Sequence, residues 1–221
     1  VRAARRLQAE TGCRKGVDIR IEKRIPLGGG LGGGSSDAAT TLVALDRLWA
    51  LNIGRNRLAD IGVSLGADVP VFVHGRNAFA TGIGEALQPI DLAPTWYVVL
   101  FPPVAIPTRE IFTAPDLTRN SKPTTITAFF AGRAKRLTRT LATLEAPKTA
   151  TVATLCAPDS CDSSFRNDLE PVACRLHSVV GEYLSWLDRF APARMSGSGS
   201  SVFAEFASEA AARSVIEALP A

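Results

Sequence analysis

No run of about 18 consecutive apolar residues breaks this sequence, and its first residues carry no signal-like pattern, so neither a membrane span nor export is expected. Cysteine is scarce. Of Cys13, Cys156, Cys161 and Cys174, only Cys156 and Cys161 lie close, with four residues between them and no second pair, which makes no convincing zinc site. Reduced thiols in a cytoplasmic protein are the corresponding expectation. Internal repeats are absent, and methionine nearly so: the chain opens on Val1 and its one methionine is Met195, so a segment upstream is expected to be missing. What the 221 residues do contain, at 46% hydrophobic composition, is enough apolar material for one large domain or two small ones.

The most informative stretch is residues 26–39, PLGGGLGGGSSDAA. Gly28, Gly29, Gly30, Gly32, Gly33 and Gly34 fill six of seven positions, so the backbone can approach a ligand with no Cβ in the way. Upstream, Val17, Ile19 and Ile21 alternate with Asp18, Arg20 and Glu22, the period of a strand with one buried face. Downstream, Ala38, Leu42, Leu45 and Trp49 recur at helical spacing, and Ser35 and Ser36 suit the N-cap of that helix. Strand, loop and helix in this order set the loop amides at a helix N-terminus, where peptide dipoles add about half a positive charge. Such a cradle suits an anion, and phosphate best.

A Walker A loop would need a lysine after the last glycine, and none is there. Gly28-x-Gly30-x-x-Gly33 formally satisfies the dinucleotide fingerprint, as any run of glycines does. Against it, the preceding strand alternates where a central parallel strand is continuously apolar. The region about 20 residues on, around Asp46 to Trp49, is still helix rather than a strand ending in a ribose-binding acid. A flexible linker is the remaining alternative, and linkers are seldom framed so closely by a strand and a helix.

The string from Pro26 and Leu27 through Gly28, Gly29, Gly30, Leu31, Gly32, Gly33 and Gly34 to Ser35, Ser36, Asp37, Ala38 and Ala39 resembles the second motif of the GHMP kinases. Two further stretches are similar to family motifs in order and spacing: Leu65-Gly66-Ala67-Asp68-Val69-Pro70-Val71-Phe72-Val73, and Arg194-Met195-Ser196-Gly197-Ser198-Gly199-Ser200-Ser201-Val202-Phe203-Ala204-Glu205-Phe206. The resemblance covers residues 1–120 and 162–215. It implies an α+β fold, with a truncated N-terminal domain like the second domain of ribosomal protein S5 and a ferredoxin-like C-terminal α/β domain. It also implies ATP-dependent phosphorylation of a hydroxyl on a small cytidine diphosphate-linked alcohol, a step of isoprenoid biosynthesis. Mevalonate or homoserine is the alternative kind of acceptor.

Phosphoryl transfer from ATP needs a charge cradle, a metal ion and a group to receive or orient the hydroxyl proton. The loop residues Pro26 to Ser36 would supply the cradle. Asp68, in a Gly-Ala-Asp-Val-Pro turn ahead of an apolar run, would be partly shielded and could take the proton. On local sequence alone a turn or cap aspartate is the plainer reading; the resemblance assigns Asp68 the catalytic role. It likewise makes Ser36 a possible contact for Mg²⁺, with water and phosphate oxygens filling most of the shell.

The segment Ser196-Gly197-Ser198-Gly199-Ser200 alone reads as a tight turn before a strand at Val202-Phe203-Ala204, and Ser208 reads as the cap of a final helix from about Glu209. The resemblance makes that turn the family's third glycine-rich motif. It also makes Ile106 to Phe112 a lining of the cytidine pocket, where Phe112 offers a ring face and Thr108 a hydroxyl, with Ile83 flanking. Ordinary core packing is the other reading of Phe112.

Net charge is +4, and Arg2, Arg5, Arg6, Arg14, Lys15, Arg20, Lys23 and Arg24 place eight of the 25 basic residues in the first 24. Because the family's N-terminal domain shares its fold with a ribosomal domain, an RNA-binding module is the competing function, but it would have no use for the glycine loop. The expectation is no nucleic-acid partner, no membrane and an undetermined oligomeric state. The family's N-terminal Pro-Ala-Lys-type motif, whose lysine works with the aspartate, is not found. Val1 to Glu10 reads instead as a helix ended by Gly12, so these residues alone are expected to be catalytically feeble. The segment Pro89 to Pro94 interrupts the pattern before the apolar strand Trp96 to Phe101, which suggests domains over 1–92 and 93–221. Residues 121–165, rich in Thr, Ala, Pro and Ser, read as helix around Arg133 to Leu144 and otherwise loop. From Asn167 a single helix is predicted through Leu187, with Pro171 in its first turn.

Overall fold

The computed structural model describes residues 1–134 and 166–220. The chain divides into two compact units, Val1–Ile25 with Gly32–Ala93, and Pro26–Leu31 with Pro94–Ala221. No helix of the described residues is long and apolar enough to cross a membrane.

The first unit is mainly helical. Helix α1 (Arg2–Thr11) is built from good helix formers and ends at Gly12, whose φ of 68° gives the predicted left-handed stop. Helices α2 (Gly33–Leu48), α3 (Gly54–Val63) and α4 (Val69–His74) follow. Leu7, Leu42, Leu45, Trp49, Leu58, Ile61, Val69 and Val73 meet in its core, so the apolar stripe of α2 faces inward at the positions its periodicity marks. Strands β1 (Ala78–Thr81) and β2 (Ala86–Pro89) pair antiparallel as a hairpin.

Residues 17–22 depart from expectation. They lie in no ladder among the described residues, and Val17, Ile19 and Ile21 are exposed. Alternation reports a chain suited to a half-buried sheet, but a strand exists only where another backbone meets its N–H and C=O groups. Here β1 and β2 pair only with each other.

The second unit holds an antiparallel sheet in the order β3 (Trp96–Leu100), β5 (Val202–Phe206), β4 (Ala193–Met195). One face carries Val98, Val202, Ala204 and Phe206 into a core shared with Ile106 and Ile111, the second of these from α5 (Thr108–Thr113). Val172 and Ala173 of α7 (Glu170–Leu176), Val180 and Leu187 of α8 (Ser178–Leu187) and Val215 of α9 (Glu209–Glu217) complete it. Ser208 caps α9 as its position predicts, its Oγ accepting from the Ala211 N–H at 3.3 Å.

The helix predicted from Asn167 is two helices. His177 takes φ −135° and ψ 84° between α7 and α8. Both helices feed the same core, so a one-residue break keeps the apolar positions facing inward and their spacing in sequence conceals it. On the other face of the sheet, Arg133 of α6 (126–134 among the described residues) donates from Nε at 2.9 Å and Nη2 at 2.6 Å to Glu205 Oε1, both side chains being buried. The remainder of the helix predicted to Leu144 lies outside the described residues, as do Cys156 and Cys161.

Candidate functional site

The glycine loop is divided by its hydrogen bonds. In the second unit, Gly28 C=O accepts from Ser200 N–H at 3.2 Å, Gly29 C=O accepts from Ser201 N–H at 3.2 Å, and Gly30 C=O accepts from Ser196 Oγ at 2.8 Å. These three carbonyls are thereby tied to the third glycine-rich segment, which sequence alone reads as an isolated turn. Gly30 lies at φ 70°, so close to that segment that a Cβ would stand 2.1 Å from Ser196 O and 2.7 Å from Gly199 O. The donors are left over: among the described residues no main-chain N–H from Gly28 to Ser35 donates a hydrogen bond.

In the first unit the loop runs into α2 at least three residues earlier than the serine caps suggest. Gly32, at φ 65°, takes the N-cap position with no side-chain cap bond, and Ser35 and Ser36 lie inside the first turn. Glycine reaches the left-handed geometry without strain, so the helix can start on a bare amide and the two hydroxyls are not spent on capping. Ser36 N–H closes the first turn on Gly32 O at 2.9 Å. Lys23, unremarked by motif reasoning, ion-pairs with Asp37 at 2.8 Å, and its Nζ would stand 3.0 Å from a Cβ on Gly33. A cation therefore sits against the first residue of α2, in addition to the peptide dipoles.

Asp68 immediately precedes α4. It is exposed rather than partly shielded, because Val69, Pro70 and Val73 take the buried positions of that turn. Two other parts of the first unit come to it. A Cβ on Gly66 would lie 3.6 Å from Ser35 Oγ, so the start of α2 adjoins the turn that carries Asp68. Gly84 packs on the same turn, where a Cβ would stand 2.5 Å from Ala67 O, which brings the exposed Ile83 loop alongside.

In the second unit, Thr108 Oγ1 and Ser198 Oγ lie 3.0 Å apart. Phe112 is 53% exposed, which removes the core-packing reading and leaves its ring open to a ligand. Ile106, by contrast, is buried in the core. Sequence reasoning passed over Asn167, whose Nδ2 donates to Met195 O at 3.0 Å and Gly197 O at 2.8 Å, and Glu170, whose Oε2 accepts from Met195 N–H at 2.7 Å. Burial pushes the Glu170 carboxyl up from its ordinary range, with the Met195 N–H and Arg194 pulling the other way. The only local signal was an asparagine just ahead of a helix.

Among the described residues no group of three or more His, Cys, Asp or Glu side chains gathers to hold a metal. The hydroxyl of Ser36 makes no hydrogen bond among the described residues, so its oxygen remains available to an ion held chiefly by phosphate and water.

A glycine loop whose amides find no acceptor among the described residues, running into a helix start, suits the binding of an anion such as phosphate, as in a small-molecule kinase. Family models agree: GHMP kinases N terminal domain matches residues 1–76 and GHMP kinases C terminal matches residues 156–221. The chain belongs to the GHMP kinases. Its curated relatives include the 4-diphosphocytidyl-2-C-methyl-D-erythritol kinase of Aromatoleum aromaticum, 49% identical over 220 residues, with all of this chain and 66% of the relative covered. The enzyme of the same name from Thiobacillus denitrificans is 50% identical over 220 residues, covering all of this chain and 68% of its own length. A crystal structure of 4-(cytidine 5'-diphospho)-2C-methyl-D-erythritol kinase matches with a TM-score of 0.69 and 34% identity, over 98% of this chain and 72% of that one. The chain thus spans about two thirds of the length of the curated relatives it matches.

Proposed function

We propose that this chain carries the machinery of an ATP-dependent kinase that phosphorylates a hydroxyl of 4-diphosphocytidyl-2-C-methyl-D-erythritol, in isoprenoid biosynthesis. The observation that supports it best is the division of the glycine loop: its carbonyls at Gly28, Gly29 and Gly30 are consumed by Ser200, Ser201 and Ser196, while its amides find no acceptor among the described residues. The names of the relatives supply the acceptor.

In this reading Pro26 to Ser36 cradle the triphosphate, and the Gly28 to Ser35 amides carry negative charge without a base or a covalent bond. Lys23 adds a cation at the start of α2. Ser36 Oγ would contact Mg²⁺, which when bound would supply charge neutralisation at the phosphates. Asp68 accepts the proton of the substrate hydroxyl as the new O–P bond forms, the γ-phosphoryl leaves the β-phosphate oxygen, and ADP departs. Exposure of Asp68 suits a carboxylate that must meet an incoming alcohol. Thr108 and Phe112 of the second unit contribute to holding the cytidine diphosphate end, the ring of Phe112 stacking and Thr108 hydrogen-bonding.

Hydrogen exchange with and without ATP gives the first test, with protection expected at residues 28–36; unprotected amides at saturating ATP would remove the nucleotide assignment. Turnover against 4-diphosphocytidyl-2-C-methyl-D-erythritol, mevalonate and homoserine tests the acceptor. A preference for either of the last two would reject it. The Asp68→Asn variant should lose roughly a hundredfold or more in kcat, and a wild-type rate would clear Asp68 of the role of base.

A further inference from the structure

The residues flanking the start of α7 make contacts that the proposed reaction does not use. Asn167 is fixed on its own side: Leu169 N–H donates to its Oδ1 at 3.1 Å, and Glu170 N–H donates to its main-chain carbonyl at 3.1 Å. Both hydrogens of its amide then point at one target, the carbonyls of Met195 and Gly197. Three residues on, Glu170 takes the N–H of Met195, so Met195 is held at both its donor and its acceptor.

What is held there is the segment that fixes the glycine loop. Ser196 N–H closes on Ser201 O at 2.9 Å, and Ser196 Oγ, Ser200 N–H and Ser201 N–H donate to the carbonyls of Gly30, Gly28 and Gly29 respectively. Gly197 comes so near that a Cβ would stand 3.0 Å from Gly30 O. The segment itself contains Gly197 and Gly199, both at positive φ, and little in its own sequence would keep it in one shape. An asparagine with both amide hydrogens spent on two of its carbonyls supplies what the glycines lack.

We propose that Asn167 and Glu170 are positioning residues for nucleotide binding: by clamping residues 195–197 they hold the 196–201 turn, and through it the Gly28–Gly30 backbone, in the shape that leaves the loop amides free for phosphate. This rests on the kinase reading above. Among the described residues neither side chain hydrogen-bonds to the loop. The clamp acts by preorganisation, since a loop that must be ordered by its ligand binds it more weakly than one ordered beforehand.

The discriminating substitution is Asn167→Asp. Aspartate still accepts the Leu169 N–H and places negative charge at the start of α7, so the helix keeps its start. It loses both donors and turns an acceptor toward two carbonyls. Asn167→Ser serves as a second variant, because it retains a capping hydroxyl too short to bridge to residues 195 and 197. The expected result in either is a melting temperature within about 3 °C of the parent, ATP binding weakened tenfold or more in titration calorimetry, and faster hydrogen exchange at the Ser200 and Ser201 amides. Should the aspartate variant not fold, the serine variant decides. ATP affinity and exchange within twofold of the parent overturn the clamp alone. Failure of the parent protein itself to bind ATP overturns the kinase reading and the clamp together.

Discussion

Gly30 offers a sharp test of how the glycine loop is held, because the chain contains its own control. Gly30 and Gly12 have nearly the same backbone, φ 70° and 68°, and differ in what surrounds them. An alanine at Gly12 meets nothing within 4 Å. It should lose only the left-handed penalty, about 1 kcal/mol. At Gly30 the new methyl would stand 2.1 Å from Ser196 O and 2.7 Å from Gly199 O, and both obstacles are main chain, so no rotamer change relieves them. The loop must part from the 196–201 turn and give up the bonds from Ser196, Ser200 and Ser201. Three hydrogen bonds at about 0.5–1.5 kcal/mol each, added to the left-handed cost of about 1 kcal/mol, give a loss of roughly 2.5–5.5 kcal/mol. That is a large share of the 5–15 kcal/mol typical of a domain. Equilibrium unfolding in urea would read both variants, alongside exchange at residues 28–30. Losses agreeing within about 0.5 kcal/mol would refute the claim that the two glycine segments are packed backbone to backbone.

The buried pair of Arg133 and Glu205 should behave as a unit: Glu205→Gln should cost about 3–5 kcal/mol, while Arg133→Met with Glu205→Leu should recover much of it, as a double-mutant cycle in unfolding free energy would show. Glu170 titrates with a raised carboxyl, so the folded state binds its proton more tightly than the unfolded state does. Its contribution to stability is therefore full below the ordinary value of 4.5 and is lost as pH rises through the raised value. Glu170→Gln keeps an acceptor for Met195 and removes the titration, so its melting temperature relative to the parent should climb from pH 4 to pH 7; parallel curves would contradict this. Phe206, fully buried at the centre of the second core, should cost about 3–5 kcal/mol on truncation to alanine in the same unfolding assay.

Local chemistry was legible in the sequence. Helix α1 with its Gly12 stop, the buried stripe of α2, the apolar strand β3 and the Ser208 cap of α9 each depend on residues within a few positions of one another, where periodicity and capping rules act. The GHMP motifs were legible for the same reason, since a glycine loop is a local property of the chain. Contacts made across long sequence separations were not. Alternation at 17–22 promised a strand, but strand formation depends on a partner, which no local pattern contains. The break at His177 and the early start of α2 at Gly32 were set by packing and by glycine geometry that outweighed spacing and serine propensity. Only the tertiary structure decided that Gly28, Gly29 and Gly30 lie against Ser196, Ser200 and Ser201, and that Asn167 holds the far side of that turn. A glycine run specifies that its backbone is free to take many shapes. Which of them it takes is fixed by the hydrogen-bonding groups brought against it from some 170 residues away in the chain.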